Sequence, residues 1–97
     1  TIIGSWIMPV EGQPGKMQGI RLGEDGEASS INMATLVYKY WEQQGDELYL
    51  TVKSIGNGVE IEGIDTLKIE KLTTDSLVLN SNYGYTLRYA KEKSTKP

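Results

Sequence analysis

The chain contains neither cysteine nor histidine, and these absences remove much of the common chemistry of protein sites. Without cysteine there is no disulfide, no thiolate metal ligand and no cysteine nucleophile. Without histidine the chain lacks the most frequent general base and the most frequent ligand of transition metals. Serine and threonine hydroxyls are plentiful, but no recognisable catalytic partner accompanies them. We therefore expect no enzymatic activity, no cofactor and no metal site.

Long hydrophobic runs and a concentrated basic face are also missing. No stretch approaches the roughly 20 apolar residues that a membrane-spanning helix needs. The formal net charge is −3, from 13 acidic and 10 basic residues, which disfavours nucleic acid as a partner because counterion release needs clustered positive charge. Lys91, Lys93 and Lys96 lie near the C-terminus, where residues 91–97 are predicted to form a flexible tail after a domain of residues 1–90.

The first residues carry no signal peptide, although they are already apolar. Thr1 stands where an initiator methionine is expected, and Ile2 and Ile3 follow at once. These features predict a mature or trimmed form of the polypeptide.

The apolar residues recur with a period of two, which is typical of half-buried β-strands. Residues 47–53 show this most clearly, with Leu48, Leu50 and Val52 predicted to point inward. Eleven glycines suit a fold with many tight turns. Gly63 predicts a bulge or bend within the sixth strand, or its division in two. The predicted strands cover residues 2–8, 17–22, 27–32, 35–42, 47–53, 59–72, 76–80 and 85–91.

Most of these strands are joined by short turns in sequence order. Such a meander predicts one all-β domain, an eight-stranded antiparallel up-and-down barrel in which no strand edge is left unpaired. A β-sandwich is the alternative that the same pattern allows. Strands of about seven residues, at about 3.3 Å per residue, predict a barrel roughly 23 Å tall, with little room for a deep ligand cup.

Several segments, in a fixed order, resemble one known family. The first strand contains the Gly-x-Trp unit Gly4-Ser5-Trp6. The later half contains Trp41, then DELYL over 46–50, IEKLT over 69–73, DSLVL over 75–79, and finally Leu87-Arg88-Tyr89. Over residues 2–90 the chain resembles the lipocalin-like domains of small envelope proteins from Gram-negative gut bacteria.

The resemblance implies roles for three residues and a location. In lipocalins the glycine of the Gly-x-Trp unit lets the first strand approach its neighbours, and the tryptophan packs across the closed end of the barrel under an arginine of the last strand. Gly4 and Trp6 match this pattern, and Arg88 is expected to stack on Trp6. The resemblance also implies a location in the cell envelope, periplasmic or tethered to the outer membrane through a lipidated cysteine before Thr1. We expect a monomer.

Three polar segments bear a partial likeness to known sites. Residues 12–16 lack the spacing of a phosphate loop, and Met17 stands where that loop needs a hydroxyl, so a surface loop is predicted.

Glu60 and Glu62 share a strand face about 7 Å apart, a separation used by paired carboxylates in glycosidases. No partner on another strand is indicated for them. Residues 24–27 lack the length of a calcium loop. We predict that both acidic groups are solvated.

Every aromatic residue is a tyrosine or a tryptophan, and phenylalanine is absent. Each ring therefore carries a polar group, which suits cavity mouths, sugar-binding surfaces and protein interfaces. Tyr38 and Tyr40 are expected to share one strand face, as are Tyr85 and Tyr89. The hypothesis is that all four line the barrel interior and contact a ligand.

These features lead to three functional hypotheses. The first is a non-catalytic envelope domain that binds a small apolar or amphipathic molecule at an open barrel end. The second is a protein-interaction or accessory module, inhibitor-like, with a solid barrel. The third is a carbohydrate-binding module that uses the tyrosine face. A cavity distinguishes the first hypothesis from the second, and a linear tyrosine row without a cavity favours the third.

Overall fold

Eight β-strands form the regular structure of the computed structural model, which describes residues 2–92. All eight predicted strands are confirmed, although β4 ends at Gln44 rather than residue 42 and β5 at Gly56 rather than residue 53. Residues 2–92 contain no helix that is long and apolar enough to cross a membrane. The strands are β1 (Gly4–Pro9), β2 (Met17–Leu22), β3 (Ala28–Ile31), β4 (Leu36–Gln44), β5 (Glu47–Gly56), β6 (Val59–Leu72), β7 (Ser76–Ser81) and β8 (Thr86–Lys91).

The strands form one antiparallel sheet in the order β3-β2-β1-β8-β7-β6-β5-β4. Since β1 pairs with β8, the first and last strands lie side by side and the sheet curls into a nearly closed barrel. The predicted up-and-down barrel is confirmed, and the β-sandwich alternative is excluded. Connections between antiparallel neighbours alternate between the two ends of such a barrel. We call the end with the β1–β2, β3–β4, β5–β6 and β7–β8 connections the open end, and the other the closed end.

The seam between β3 and β4 lacks a continuous ladder and is joined by a few specific bonds. The Ser30 hydroxyl accepts a hydrogen bond from the Tyr38 N–H at 2.9 Å and donates one to the Leu36 carbonyl. Nearer the closed end, the Trp41 N–H donates to the Gly26 carbonyl at 3.0 Å. A serine side chain therefore takes the place of a backbone neighbour in part of the seam.

Side chains from one face of each strand fill the barrel. In β5, Leu48, Leu50 and Val52 are buried between more exposed neighbours, which confirms the predicted alternation. Burial of each such side chain contributes about 1.5–3 kcal/mol. The rest of the core consists of Ile2, Trp6, Ile20, Leu22, Ala28, Tyr38, Leu67, Leu77, Leu79 and Tyr89.

A bulge in β4 changes which of its side chains face the core. Tyr38 lies opposite Val52, but Tyr40 lies opposite Thr51, so Lys39 is an extra residue in the pairing. The alternation shifts by one position after a bulge. As a result Tyr38 is buried, whereas Tyr40 is 56% exposed.

The sixth strand is continuous, and its irregularity is not at the predicted position. Gly63 pairs in register with Val52. The register shift falls between Ile69 and Lys71, where β6 passes along β7. The bulge predicted at Gly63 is therefore not found there, and the bulge of β6 lies farther along the strand.

The β5–β6 hairpin extends beyond the neighbouring strand at the open end. Residues 59–66 pair only with β5, because pairing with β7 begins at Leu67. Val59, Ile61 and Ile64 are exposed in this segment. The barrel rim is therefore taller on this side than the predicted seven-residue strands implied.

The barrel continues past the predicted domain boundary at residue 90. Lys91 belongs to β8 and lies opposite Trp6. The Glu92 N–H donates to the Ser5 carbonyl at 2.8 Å. Lys91 is thus part of the folded domain rather than of a tail, and the rest of the predicted tail, residues 93–97, lies outside the described residues.

Candidate functional site

An apolar cavity of about 190 Å³ lies in the barrel near its open end. Strands β1, β2, β4 and β8 supply most of its wall, and the β3–β4 and β7–β8 connections supply Met33 and Tyr85. None of the lining residues is charged. We call this the barrel cavity; it is lined by Met8, Gln18, Gly19, Met33, Leu36, Tyr38, Tyr85, Leu87 and Tyr89.

Three of the four predicted ligand-contacting tyrosines meet at this cavity. Tyr85, Leu87 and Tyr89 alternate along the last hairpin and β8, so their side chains lie on the inner face. Tyr38 reaches the same space from β4. Tyr38 and Tyr89 are buried, whereas Tyr85 is 48% exposed at the mouth.

The two buried tyrosines are held in their neutral form. Burial, and secondarily the negative charge of Asp65, raises the pKa of Tyr38 from 10.0 to about 12. Burial raises the pKa of Tyr89 still further, with smaller contributions from Tyr38 and Tyr85. Within residues 2–92 no side-chain hydrogen bond involves these three phenol groups. Each hydroxyl therefore keeps both donor and acceptor capacity toward a molecule in the cavity.

Tyr40 does not join them. The bulge at Lys39 turns Tyr40 to the outer face, although it lies two residues from Tyr38. A strict period of two placed both rings on one face, and a bulge cannot be read from that period alone. The expectation that Tyr40 lines the interior was therefore wrong.

Close approach of β1 and β2 forms part of the cavity wall. Gly19 lies opposite Ile7, and a Cβ at Gly19 would overlap the Trp6 carbonyl oxygen and lie 2.9 Å from the Ile7 Cα. Both obstacles are backbone atoms, which cannot move aside as a flexible side chain can. Glycine is therefore required here for the strands to pack as they do.

Trp6 seals the closed end, but its cationic partner is not the predicted one. Trp6 is fully buried, and its Nε1–H donates to the Ile2 carbonyl at 2.8 Å. The Lys91 Nζ lies 4.7 Å from the centre of the Trp6 ring and donates to the Ile3 carbonyl at 2.9 Å. Arg88 is exposed on the opposite face of β8. The expectation that Arg88 stacks on Trp6 was therefore wrong, because Arg88 and Lys91 are three residues apart and face opposite sides of the strand.

The Lys91 side chain that lies over Trp6 also passes close to Gly4. Its φ is +137°, in the left-handed region that favours glycine. An added Cβ would also overlap the Cε of Lys91. The group that comes close to Gly4 is thus the Lys91 side chain of β8.

The acidic pair on β6 lies on the outer face of the protruding hairpin. Glu60 forms an ion pair with Lys53 at 3.5 Å, and Glu62 forms one with Lys39 at 3.6 Å. Both carboxylates are more than half exposed, as predicted for solvated acids. Residues 2–92 contain no group of acidic side chains arranged to hold a metal ion.

The aromatic pattern did not indicate the six other residues that line the barrel cavity, nor Asp65 on the inner face of β6. Met8 shares an inner face with Trp6, and Leu87 shares one with Tyr89, so alternation alone could have found them. Met33 lies in a connection and shows no periodic signal. Asp65 occupies an inward register position between Gly63 and Leu67, where a period of two predicts an apolar residue.

Comparison with known proteins agrees with the barrel. The model of the lipocalin-like family matches residues 1–92. The chain is similar to a lipocalin-like protein from Bacteroides thetaiotaomicron whose crystal structure is known, with 57% identity, a TM-score of 0.89, and coverage of 96% of this chain and 98% of that one. A search among curated proteins found no match. The extent of both matches shows that the chain belongs to the lipocalin-like family.

Proposed function

We propose that this chain is a non-catalytic binding domain that takes a small apolar or amphipathic molecule at the open end of its barrel. The observation that carries the proposal is the barrel cavity, which has a mostly apolar wall and three tyrosines whose hydroxyls have no side-chain hydrogen bond within residues 2–92. Specific ligand sites are typically of this kind, mostly apolar with a few convergent polar groups. The phenols orient a polar group of the ligand, and the methionine and leucine side chains contact its body.

The cavity volume limits the ligand. Ligand pockets commonly span about 300–1,000 Å³, and a dry cavity of about 150 Å³ accommodates benzene. At about 190 Å³ the barrel cavity holds a single ring with a short substituent, or one end of a longer chain that leaves through the mouth. The flexible side chains of Met8 and Met33 adapt to either shape.

The presence of this cavity favours binding over the two alternative functions. An interaction module with a solid barrel would leave no internal apolar space, whereas this barrel contains one. A carbohydrate-binding surface needs a row of exposed rings, but Tyr38 and Tyr89 are buried on the inner face.

The three methionines provide a direct test of occupancy. Met8 and Met33 line the barrel cavity, whereas Met17 lies on the outer face of β2 at the same end. With ¹³C-methyl methionine and titration of phenethyl alcohol and octan-1-ol, we expect saturable shifts of the Met8 and Met33 methyl signals, while that of Met17 stays constant. The dissociation constant expected for about nine non-hydrogen atoms is roughly 0.1–1 mM. Unchanged Met8 and Met33 signals for both compounds would contradict the proposal.

A matched pair of substitutions locates the site. Met33→Trp fills part of the cavity and is expected to weaken phenethyl alcohol binding about tenfold or more, followed through the Met8 methyl signal. Met17→Trp makes the same chemical change on the outer face and should leave binding within about twofold of the original. Equal weakening by both substitutions would place the ligand elsewhere.

The proposal includes a location in the cell envelope, which rests on the resemblance to envelope proteins. Its test is fractionation of cells that express the protein from its complete reading frame, with an antibody against this domain. We expect the protein in the periplasmic or outer-membrane fraction. Recovery in the cytosolic fraction alone would overturn this part of the proposal.

A further inference from the structure

One carboxylate occupies the inner face of the barrel near the open end. Asp65 lies opposite Leu50 in the β5–β6 ladder, and Leu50 is buried in the core. The other acids of this segment, Glu60 and Glu62, lie on the outer face in ion pairs. Asp65 differs from them because, within residues 2–92, neither an ion pair nor a hydrogen bond involves its carboxylate.

Asp65 borders a second space, which adjoins the barrel cavity. This side groove has a volume of about 230 Å³ and is lined by Ile64, Asp65, Thr66, Leu67, Ser81, Asn82, Tyr83 and Tyr85. Tyr85 belongs to the walls of both spaces, so the two meet at its side chain. No lysine or arginine lines either space, so Asp65 is the single formal charge among their lining residues.

Asp65 is also close enough to the tyrosines to influence them. Its negative charge contributes to the raised pKa of Tyr38, which lies in the wall of the barrel cavity. The carboxylate and the buried phenols therefore belong to one electrostatic environment. Asp65 is half-buried, and a bound cation would supply its carboxylate with a partner.

We propose that the natural ligand is a small organic cation, an amine with an apolar body about the size of one ring. The body occupies the barrel cavity, and the ammonium group lies beside Tyr85 and binds Asp65. This inference rests on the proposed binding function and names its ligand class.

Two physical effects select a cation over other ligands. The ammonium forms a charge-assisted hydrogen bond with the Asp65 carboxylate. The faces of nearby tyrosine rings add a cation–π attraction, which is larger where water is excluded. Asp65 repels an anion of the same shape, and neither wall contains a basic residue that could bind it. The site therefore discriminates between ligands by charge as well as by size.

Three ligands of matched shape test the inference: phenethylamine, phenethyl alcohol and phenylacetate. Binding is measured near neutral pH through the Met8 and Met33 methyl signals. We expect phenethylamine to bind about tenfold more tightly than phenethyl alcohol, and phenylacetate to bind more weakly than either. The preference for the amine should diminish at high salt, as an ion pair near the surface requires.

Asp65→Asn and Asp46→Asn are the matched variants. Both remove one negative charge, but Asp46 lies at the closed end in an exposed pair with Lys68 at 3.8 Å. Asp65→Asn should remove most of the preference for phenethylamine over phenethyl alcohol, because only the cation–π attraction is left, whereas Asp46→Asn should keep the original preference. Circular dichroism of both variants confirms that the barrel is retained.

The outcomes separate the two proposals. Binding of phenethyl alcohol and phenethylamine with equal affinity, or an amine preference that Asp65→Asn leaves undiminished, would overturn the cation assignment and leave the binding function intact. Failure of all three compounds to move the Met8 and Met33 signals would contradict the binding function itself.

Discussion

At the scale of single residues, position on a strand face decides more than residue type. Arginine is the more frequent partner of aromatic rings, yet Lys91 contacts Trp6 because it lies on the inner face. Arg88 carries the expected cationic group, but it lies on the outer face of β8, away from Trp6. Tyr40 illustrates the same rule, since a single extra residue in β4 moves it from the predicted inner face to solvent.

Replacement of Lys91 tests the closure of the barrel. Lys91→Met keeps an apolar stem over Trp6 but removes the hydrogen bond to the Ile3 carbonyl and the charge above the ring. We expect a loss of about 1–3 kcal/mol in the free energy of unfolding, measured by urea denaturation with Trp6 and Trp41 fluorescence. Arg88→Met, at an exposed position, should change it by about 0.5 kcal/mol or less. The assignment fails if Arg88→Met is the more damaging substitution.

At the scale of elements, the barrel depends on how its seam is joined. Seven strand pairs form ladders, of which β1–β8 is the shortest, with two residue pairs, whereas β3 and β4 rely on isolated contacts. Ser30 satisfies two backbone groups of β4 with a single hydroxyl. The sequence pattern predicts that β3 is a weak, polar strand, but it does not show which polar side chain crosses to the neighbouring strand.

Removal of the Ser30 hydroxyl should weaken this seam selectively. Ser30→Ala leaves the Tyr38 N–H and the Leu36 carbonyl without their partner, at an expected cost of about 1–2 kcal/mol. Hydrogen exchange of the Tyr38 amide should accelerate more than that of core amides in β5. Ser29→Ala, on the exposed face of β3, is the control and should leave exchange at Tyr38 unchanged. If both variants exchange alike, the Ser30 bridge does not hold the seam.

At the scale of the whole molecule, burial of two phenols links stability to alkaline pH. The folded state raises the pKa of Tyr38 from 10.0 to about 12 and that of Tyr89 further, so it favours their protonated forms. Their contribution is therefore complete below about pH 10, the pKa of an unfolded tyrosine, and is lost as the pH rises through the folded value. Tyr38 alone accounts for about 2–3 kcal/mol of this loss.

Urea denaturation between about pH 8 and pH 12 measures this dependence. We expect the free energy of unfolding to fall above about pH 10, and the buried tyrosines to ionise only as the barrel unfolds, which the ultraviolet absorbance of tyrosinate reports. Tyr38→Phe should reduce the slope of the free energy of unfolding against pH, because the phenylalanine ring stays buried but has no group that titrates. Tyr83→Phe, at a position 88% exposed, should leave the slope as it is. An unchanged slope in Tyr38→Phe would refute the assignment.

The sequence alone determined the strands, their order and the inward face of most of them. Alternation marked Leu48, Leu50 and Val52 for the core, and short glycine-containing turns left an antiparallel meander as the natural arrangement. These features are local, since they depend on the period of the strand and on the φ values that turns require. The resemblance carried by the Gly-x-Trp unit also predicted that Gly4 and Trp6 lie at the closed end of the barrel.

Only the tertiary structure decided which side chains meet across the barrel. The bulge at Lys39, the cation on Trp6, the volume of the cavity and the inward carboxylate of Asp65 all depend on the register between strands distant in sequence. A shift of one residue in register sends a side chain to the opposite face, and the residue types in a single strand do not encode that shift. The barrel was therefore predictable from local pattern, whereas its binding site depends on non-local pairing.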